Sequence, residues 1–503
     1  MSFMGLDVGT TGCKVVVFNE DLKVLSSAYR EYPLLHPRPG WSELNPELIW
    51  QQCKEVIAQV NDKVKKDPVE AVSISVQGEA VTPVDRDGKS LYNFSVSFDH
   101  RTVEQYQWWE KEIGKEKVFQ MTGMPLHPMY TINKIMWFKR IMPKVFERTW
   151  KFLCVEDYII YKLSGQLATD PSIAARTMAY DVVKRKWSEK MLRMAEIDPD
   201  LLPPVFDSGT TVGTVQRNLA KELGFGDHVC VATGGHDQPC GVLGAGVISP
   251  GLAMNATGTA DVICPVFANP LLTPKMLTAN YCCYPHVTGK LYCSVGFNLT
   301  GGLLLRWYRD TLCSEEKQKA EECGRDAYEI IIQEMSDGPR DLYFLPHFVG
   351  AGTPTLDPSP RGAVLGLTGD TRKQHLARAV IDSVNYEMHL NIEKMEEAGI
   401  VINQIRAIGG GAKSPAWLQM KADVFGKPIY EMEVSEAASF GAAILAAVSV
   451  GKLEAKDDVI KRLVKRKKLY EPNEEKHEEY TEYYEKYCSI YELLKPFNRR
   501  EVK

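Results

Sequence analysis

The sequence predicts an α/β protein of two domains, each a mixed sheet with flanking helices. The chain has 503 residues, too many for one hydrophobic core. Its opening runs through three strand-like stretches, a helix and a further strand, the order of a mixed sheet with helices packed on it. A Gly/Thr-centred hairpin that opens the chain returns near its middle, so that one heads each half, which suggests an internal duplication. The expected division is 1–248 and 249–503.

The first hairpin is Gly5-Leu6-Asp7-Val8-Gly9-Thr10-Thr11-Gly12-Cys13-Lys14, entered from Phe3-Met4 and left through Val15-Val16-Val17-Phe18. Apolar residues, a Gly/Thr turn and β-branched residues read as strand, turn, strand. Such a turn aims backbone N–H groups and the Thr10 and Thr11 hydroxyls at one place, an anion cradle without a helix dipole. Asp7 enters it, and an acid beside an anion site implies a metal between them, here Mg²⁺. The Walker A loop needs four residues between its glycines and this turn has two, while the dinucleotide fingerprint must open a helix.

A third strand is expected over Leu22–Tyr29. Asn45-Pro46 then starts a helix as N-cap and N1, with Ile49, Cys53, Val56, Ile57 and Val60 on its apolar face. Val69–Val76 returns as a strand and ends at Gln77-Gly78-Glu79. Ligands of open α/β sheets bind beyond strand ends, which makes Glu79 a site candidate. Asp99 and Arg101 follow another apolar stretch. Residues 103–195 read as a Trp-rich helical lobe. Val229–Thr233 is a buried strand delivering Gly234-Gly235-His236-Asp237-Gln238, with a small-residue helix expected over Gly241–Val247.

The second hairpin is Leu252-Ala253-Met254-Asn255-Ala256-Thr257-Gly258-Thr259-Ala260-Asp261-Val262-Ile263. Beyond it lie Gly301-Gly302, a long loop over Gly350–Pro360, and a long helix capped by Thr371. A strand over Ile405–Ile408 runs into Gly409-Gly410-Gly411-Ala412-Lys413-Ser414-Pro415, where Ser414 is an N-cap and Pro415 stands at N1. Ser435–Val450 reads as a tightly packed helix, and the charged, Tyr-rich last fifty residues as a helix on the surface.

Composition is that of an ordinary soluble protein, 44% hydrophobic and 25% charged, with a formal net charge of -5. Nothing marks a nucleic-acid or membrane-surface binder, and no apolar run is long enough to span a bilayer. The N-terminus enters the first strand with no basic or cleavable segment, so a cytoplasmic protein is expected. None of the 12 cysteines falls in a CxxC pair; they read as buried thiols in a reducing compartment.

Assembled, Asp7–Gly12, Asp99-His100-Arg101-Thr102, Gly235–Gln238, Ala256–Thr259, Arg361-Gly362-Ala363 and Gly409–Ser414 resemble the FGGY family of carbohydrate kinases, over about residues 3–450. The resemblance implies the actin-like (ribonuclease H-like) ATPase fold, with two domains closing on a cleft. It implies ATP and Mg²⁺ as cofactors and a small sugar, polyol or sugar acid as substrate. It gives Asp237 the role of catalytic base and Asp7 that of metal-associated carboxylate. Thr10, Thr11, Gly258 and Thr259 match the phosphate hairpins; Gly302, Gly410, Gly411 and Ala412 match nucleotide contacts. Glu79, Asp99 and Gln238 match positions that hold sugar hydroxyls, and a homodimer is implied by resemblance alone.

Local readings stand beside these roles. Asp237 can cap the helix after it, Asp99 can pair with Arg101, and His236 reads better as a satisfied strand-end histidine than as a catalytic group. Glycerol kinases carry Arg-Glu where this chain has Gly78-Glu79. The missing Arg argues against glycerol, and Gly78 is expected to leave room for a longer molecule. The expected activity is ATP-dependent phosphorylation of a sugar hydroxyl, with a xylulokinase-like pentulose kinase favoured. The alternative is a non-catalytic ATP-dependent switch of the same fold.

Overall fold

A computed structural model describes residues 1–434, 436–454, 460 and 463–498. Two sheets carry the fold. The first has six strands in the order Thr211–Thr214, Cys230–His236, Val69–Val76, Ser2–Val8, Gly12–Asn19, Val24–Glu31. Ser2–Val8 pairs antiparallel with Gly12–Asn19 and parallel with Val69–Val76, which is parallel to Cys230–His236.

The second sheet repeats this plan. Gly251–Thr257 pairs antiparallel with Asp261–Phe267 and parallel with Ile402–Gly409, which is parallel to Ile429–Met432. The duplication expected from the hairpins is therefore present in strand pairing, although little of it survives as sequence identity. In both sheets the hairpin turn and the ends of the neighbouring parallel strands lie on one edge, where ligands collect in such sheets.

The halves exchange helices. Asp237–Gly244 and Ala437–Ser449 pack on each other so closely that a Cβ on Gly244 would stand 2.0 Å from the Ala437 carbonyl oxygen, and one on Gly441 1.9 Å from that of Cys240. Ala437–Ser449 also lies against the first sheet, where a Cβ on Gly5 would be 1.8 Å from the Ser439 oxygen. In return, buried Arg406 of the second sheet donates through Nη1 to the carbonyls of Ala245, at 2.9 Å, and Gly246, at 2.5 Å. The division at 248/249 thus separates the sheets along the chain but not all of the helices.

Several local expectations shift. The helix after Gly234-Gly235 starts at Asp237, not Gly241, because the strand continues through both glycines to His236. Thr371 does not cap the long helix. Its hydroxyl accepts from the Thr368 amide at 2.9 Å, and Arg372 is the cap of Lys373–Glu397. Ser435 lies outside the described residues. Asn45 and Ser414 cap as expected, accepting from Leu48 N at 3.1 Å and Trp417 N at 3.3 Å. The last helix, Glu474–Asn498, buries Tyr480, Tyr484 and Tyr487 around Tyr386. Among the described residues no helix is long and apolar enough to cross a membrane.

Candidate active site

A cavity of about 310 Å³ lies between the halves. Thr10, Gly78, Glu79, His127, Arg176 and Asp237 line it from the first half, with Gln238, and Asn280 and Cys282 from the second. Four of the expected sugar-side residues (Gly78, Glu79, Asp237, Gln238) therefore meet there, with one hairpin threonine.

Glu79 stands at the end of its strand with φ 63°, a left-handed conformation that a side chain makes costly. Two side chains hold it. The Thr131 hydroxyl and Lys134 Nζ donate to its carbonyl at 3.0 and 2.8 Å, and Lys134 also bonds the Ser95 carbonyl at 3.0 Å. Lys134 is fully buried, which pulls its pKa down to about 8 against the opposing pull of Glu79 and Asp99. The Glu79 carboxylate is gripped by Arg176 through Nε and Nη2. The remaining guanidinium contacts are soft: Met124 and Met129 sulfurs at 3.7 Å each, and the rings of Tyr130 and Tyr284 at 5.4 and 5.6 Å.

Asp237 is the first residue of its helix, and its side chain keeps 34% of its surface open to the cavity. Burial, then the charges of Asp7 and Glu79, push its pKa up to about 7, opposed by the Gln238 amide and Arg176. That partial exposure screens part of the shift. Asp7 accepts from the Ser75 hydroxyl at 2.8 Å, and burial raises it to about 6. His127 is held neutral, pushed down to about 4 by burial and then by Arg176. Its Nδ1 accepts from the Met129 amide at 3.2 Å, so the proton is on Nε2.

Asp99 is not on the cavity wall. It is buried, its Oδ1 accepting from the Arg101 amide and Nε at 2.9 and 2.8 Å and its Oδ2 from the Ser42 amide and Arg101 Nη2 at 2.7 Å each. The expectation that it holds a sugar hydroxyl is corrected: four donors already fill both oxygens, and the pair with Arg101 is what it makes. The expectation for Gly78 is corrected too. A Cβ there would stand 2.9 Å from His236 Nε2 and 3.6 Å from Arg176 Cγ. The space is filled from inside the protein, and a cation does stand beside Glu79, supplied by the helix Pro171–Arg176.

The hairpins are tightly braced. In the first, Gly9 N–H bonds Gly12 O at 3.0 Å, the Thr10 hydroxyl donates to Gln77 Oε1 at 3.0 Å, and Gln77 Nε2 to Gly9 O at 3.1 Å. Thr11 is exposed at the tip. In the second, Gly258 N–H bonds Ala260 O at 2.9 Å, and the helix Gly302–Leu312 begins on it through Gly302 N to Gly258 O, 2.8 Å, and Leu303 N to Thr259 O, 3.1 Å. Gly409, at φ 85°, turns the chain so that Gly411 lies against Thr257, where a Cβ would be 2.6 Å from Cγ2. Gly410 and buried Ala412 belong to the same turn. Beneath it, buried Lys421 Nζ bonds Asp261 Oδ2 at 2.7 Å, Asn255 Oδ1 at 2.6 Å and Thr257 Oγ1 at 2.7 Å.

Two sequence profiles match this chain, the N-terminal domain of the FGGY family of carbohydrate kinases over residues 2–244 and its C-terminal domain over 253–450. The chain belongs to the FGGY family of carbohydrate kinases. It is similar to the xylulose kinase of Staphylococcus epidermidis (strain ATCC 12228 / FDA PCI 1200), at 30% identity over 98% of this chain and 97% of that protein. The gluconokinase of Bacillus subtilis (strain 168) is 28% identical over 91% and 89%. Among solved structures, ligand-bound xylulose kinase from Lactobacillus acidophilus superposes with a TM-score of 0.90 at 26% identity, covering 98% of both chains. The fold is thus the two-domain, actin-like ATPase fold of the FGGY kinases, and the protein is a phosphotransferase acting on a sugar hydroxyl with ATP as co-substrate. The switch alternative falls away.

Sequence reasoning missed Arg176, His127 and Lys421. Arg176 ends a short helix inside the inserted lobe, far in sequence from Glu79, and only the fold brings them together. His127 follows Pro125-Leu126 in a loop with no motif. Lys421 stands four residues after Trp417 and three before Val424 on the apolar side of its helix, where a lone lysine belongs to no motif, and it is 1% exposed.

Proposed function

We propose that this FGGY kinase transfers the γ-phosphoryl group of ATP to a terminal hydroxyl of a neutral ketose the size of D-xylulose. Asp237 accepts the hydroxyl proton as the O–P bond forms and the bond to ADP breaks. The observation that carries this reading is the placing of Asp237 on the cavity between the halves, beside Thr10 of the first hairpin. A carboxylate near neutral pKa suits a general base working at neutral pH.

The charge balance favours a neutral acceptor. Arg176 is committed to Glu79, His127 and His236 are neutral, and Asp237 and Glu79 are acidic. A substrate carboxylate would meet like charge and find no free cation among the described lining residues. Glu79 and the His127 Nε2–H instead offer an acceptor and a donor to hydroxyls. The similarity to several xylulose kinases agrees with this choice.

Mg²⁺ fits at half-buried Asp7, whose carboxylate accepts from only the Ser75 hydroxyl among the described residues and stands beside the first hairpin. Among the described residues no group of three or more His, Cys, Asp or Glu could hold a metal, so the ion would share its ligands between Asp7, water and phosphate oxygens. When bound, it neutralises charge on the phosphates. ATP supply and a chain whose cysteines are all free suit the cytoplasm.

Sugar-dependent ADP release with D-xylulose, D-gluconate and glycerol tests the proposal. D-xylulose is expected to have the highest kcat/KM. Preference for gluconate would overturn the neutral-acceptor reading.

A further inference from the structure

His236 separates Asp237 from the second half of the molecule and touches both. Its Nε2 is 3.2 Å from Asp237 Oδ1, and its Nδ1 is 3.1 Å from the Tyr284 hydroxyl. Tyr284 is fully buried in a short strand, Tyr284–Pro285, that belongs to the second sheet. The His236 amide is fixed in turn by the Ser172 hydroxyl at 2.9 Å.

The protons in this chain are determined by chemistry. An ionised carboxylate only accepts, so while Asp237 is charged the His236 Nε2 that faces it at 3.2 Å carries the hydrogen. Burial and the neighbouring Arg176 hold the imidazole pKa well below its usual value, so the ring is neutral. Nδ1 is then an acceptor, and the Tyr284 hydroxyl donates to it. With Asp237 ionised, the order is Tyr284 O–H to His236 Nδ1, with His236 Nε2–H facing Asp237 Oδ1 at 3.2 Å.

We propose that His236, oriented by Tyr284 from the opposite half, is the positioning residue for Asp237, fixing one carboxylate oxygen so that the other meets the substrate hydroxyl. The inference rests on Asp237 being the base. The imidazole takes no proton from the sugar and need not become charged. Its N–H stabilises the carboxylate over the carboxylic acid, against the charges of Asp7 and Glu79 that face the same group, while Arg176 and the Gln238 amide act with it. Because Tyr284 comes from the second sheet, the chain is complete only when both halves are in register, which couples base orientation to the arrangement of the cleft.

The test compares pH profiles of kcat/KM with D-xylulose and MgATP. His236→Phe keeps a ring and removes both nitrogens. The acid limb should move up by about one pH unit, with kcat lowered about 10- to 100-fold and KM for ATP unchanged. His236→Gln restores an N–H at the Nε2 position and should return the limb most of the way. Tyr284→Phe should move it in the same direction by less, and it serves as the comparison if the His236→Phe variant does not fold. A limb unmoved in both variants overturns the proposal. Asp237→Asn separates this from the reading beneath it: turnover surviving that change would remove Asp237 as base whatever His236 does. Independently of any sugar, ¹⁵N-histidine spectra should show His236 as the neutral Nε2–H tautomer at about pH 8 and above, where Asp237 is ionised. An Nδ1–H tautomer or an imidazolium there overturns the assignment.

Discussion

The His236 imidazole fills the place where Gly78 has no side chain, with Nε2 and Cδ2 at 2.9 and 3.0 Å from where a Cβ would be. Gly78 is not in a left-handed conformation, so Ala suits its backbone and the obstacle is the ring alone. Gly78→Ala should therefore move His236 and leave the strand intact. We expect kcat to fall about 10-fold or more with only a small change in Tm. In a His236→Ala background the same substitution should do almost nothing, a coupling a double-mutant cycle can measure. Additive losses would show that the two positions act separately.

Asp237 should dominate the pH profile. The proton acceptor works only when ionised, so kcat/KM should rise with pH through about 7, the value burial, Asp7 and Glu79 give it. Asp237→Asn should lose about 100- to 10,000-fold in kcat, while calorimetry still detects ATP binding. A flat profile from about pH 5.5 to 8 with D-xylulose would contradict the assignment.

Arg176 and Glu79 form a nearly buried pair in which the cation's other neighbours are thioethers and rings. Removing one partner leaves the other charge unmatched. Arg176→Met should cost about 3–5 kcal/mol in a urea titration and free the Glu79 carboxylate to swing, raising the sugar KM. The doubly neutral Arg176→Met, Glu79→Gln protein should recover much of the stability but not the sugar KM, because Glu79 also faces the cavity. Recovery of both would make the pair purely structural.

The second hairpin offers a parallel case. Lys421 ties Asp261, Asn255 and Thr257 together under the turn carrying Gly258 and Thr259. Lys421→Met should raise the KM for ATP and lower stability by about 3–5 kcal/mol, with the sugar KM little changed. An unaltered KM for ATP would detach this cluster from the nucleotide side.

Local chemistry made much of this molecule legible in its sequence. Gly/Thr turns between apolar strands, Asn45-Pro46 and Ser414-Pro415 are signals that a few neighbouring residues fully determine. Asp237 was legible because it follows a buried strand, and strand ends are where such sheets bind ligands. What stayed hidden depends on contacts across the fold. Asp99 and Glu79 look alike as acids after apolar strands, yet one has Arg101 two residues away and the other has Arg176 97 residues away. Gly78 read as open space because the sequence does not say that a histidine 158 residues later occupies it.

Behind the strand that leads into Asp237 lie Glu156, Asp157 and Asp170, all buried. Burial raises all three, Asp157 to about 7, with mutual repulsion adding to it and backbone amides opposing. A carboxyl whose folded pKa lies above its ordinary value near 3.8 binds its proton more tightly in the native state. Its contribution is complete below that ordinary value and is lost as pH rises from there through about 7. The contribution of these carboxyls to stability should therefore fall between about pH 4 and 8, while buried neutral His127 and His236, with lowered pKa values, act in the opposite direction. Asp157→Asn keeps an oxygen for the Cys154 amide, which Asp157 Oδ2 now accepts at 2.7 Å, and removes one titration. At about pH 4 the variant should match the parent, and at about pH 8 it should be more stable, by up to about 4 kcal/mol. Parallel melting curves for both proteins across that range would show that Asp157 ionises at its ordinary pKa in the folded state.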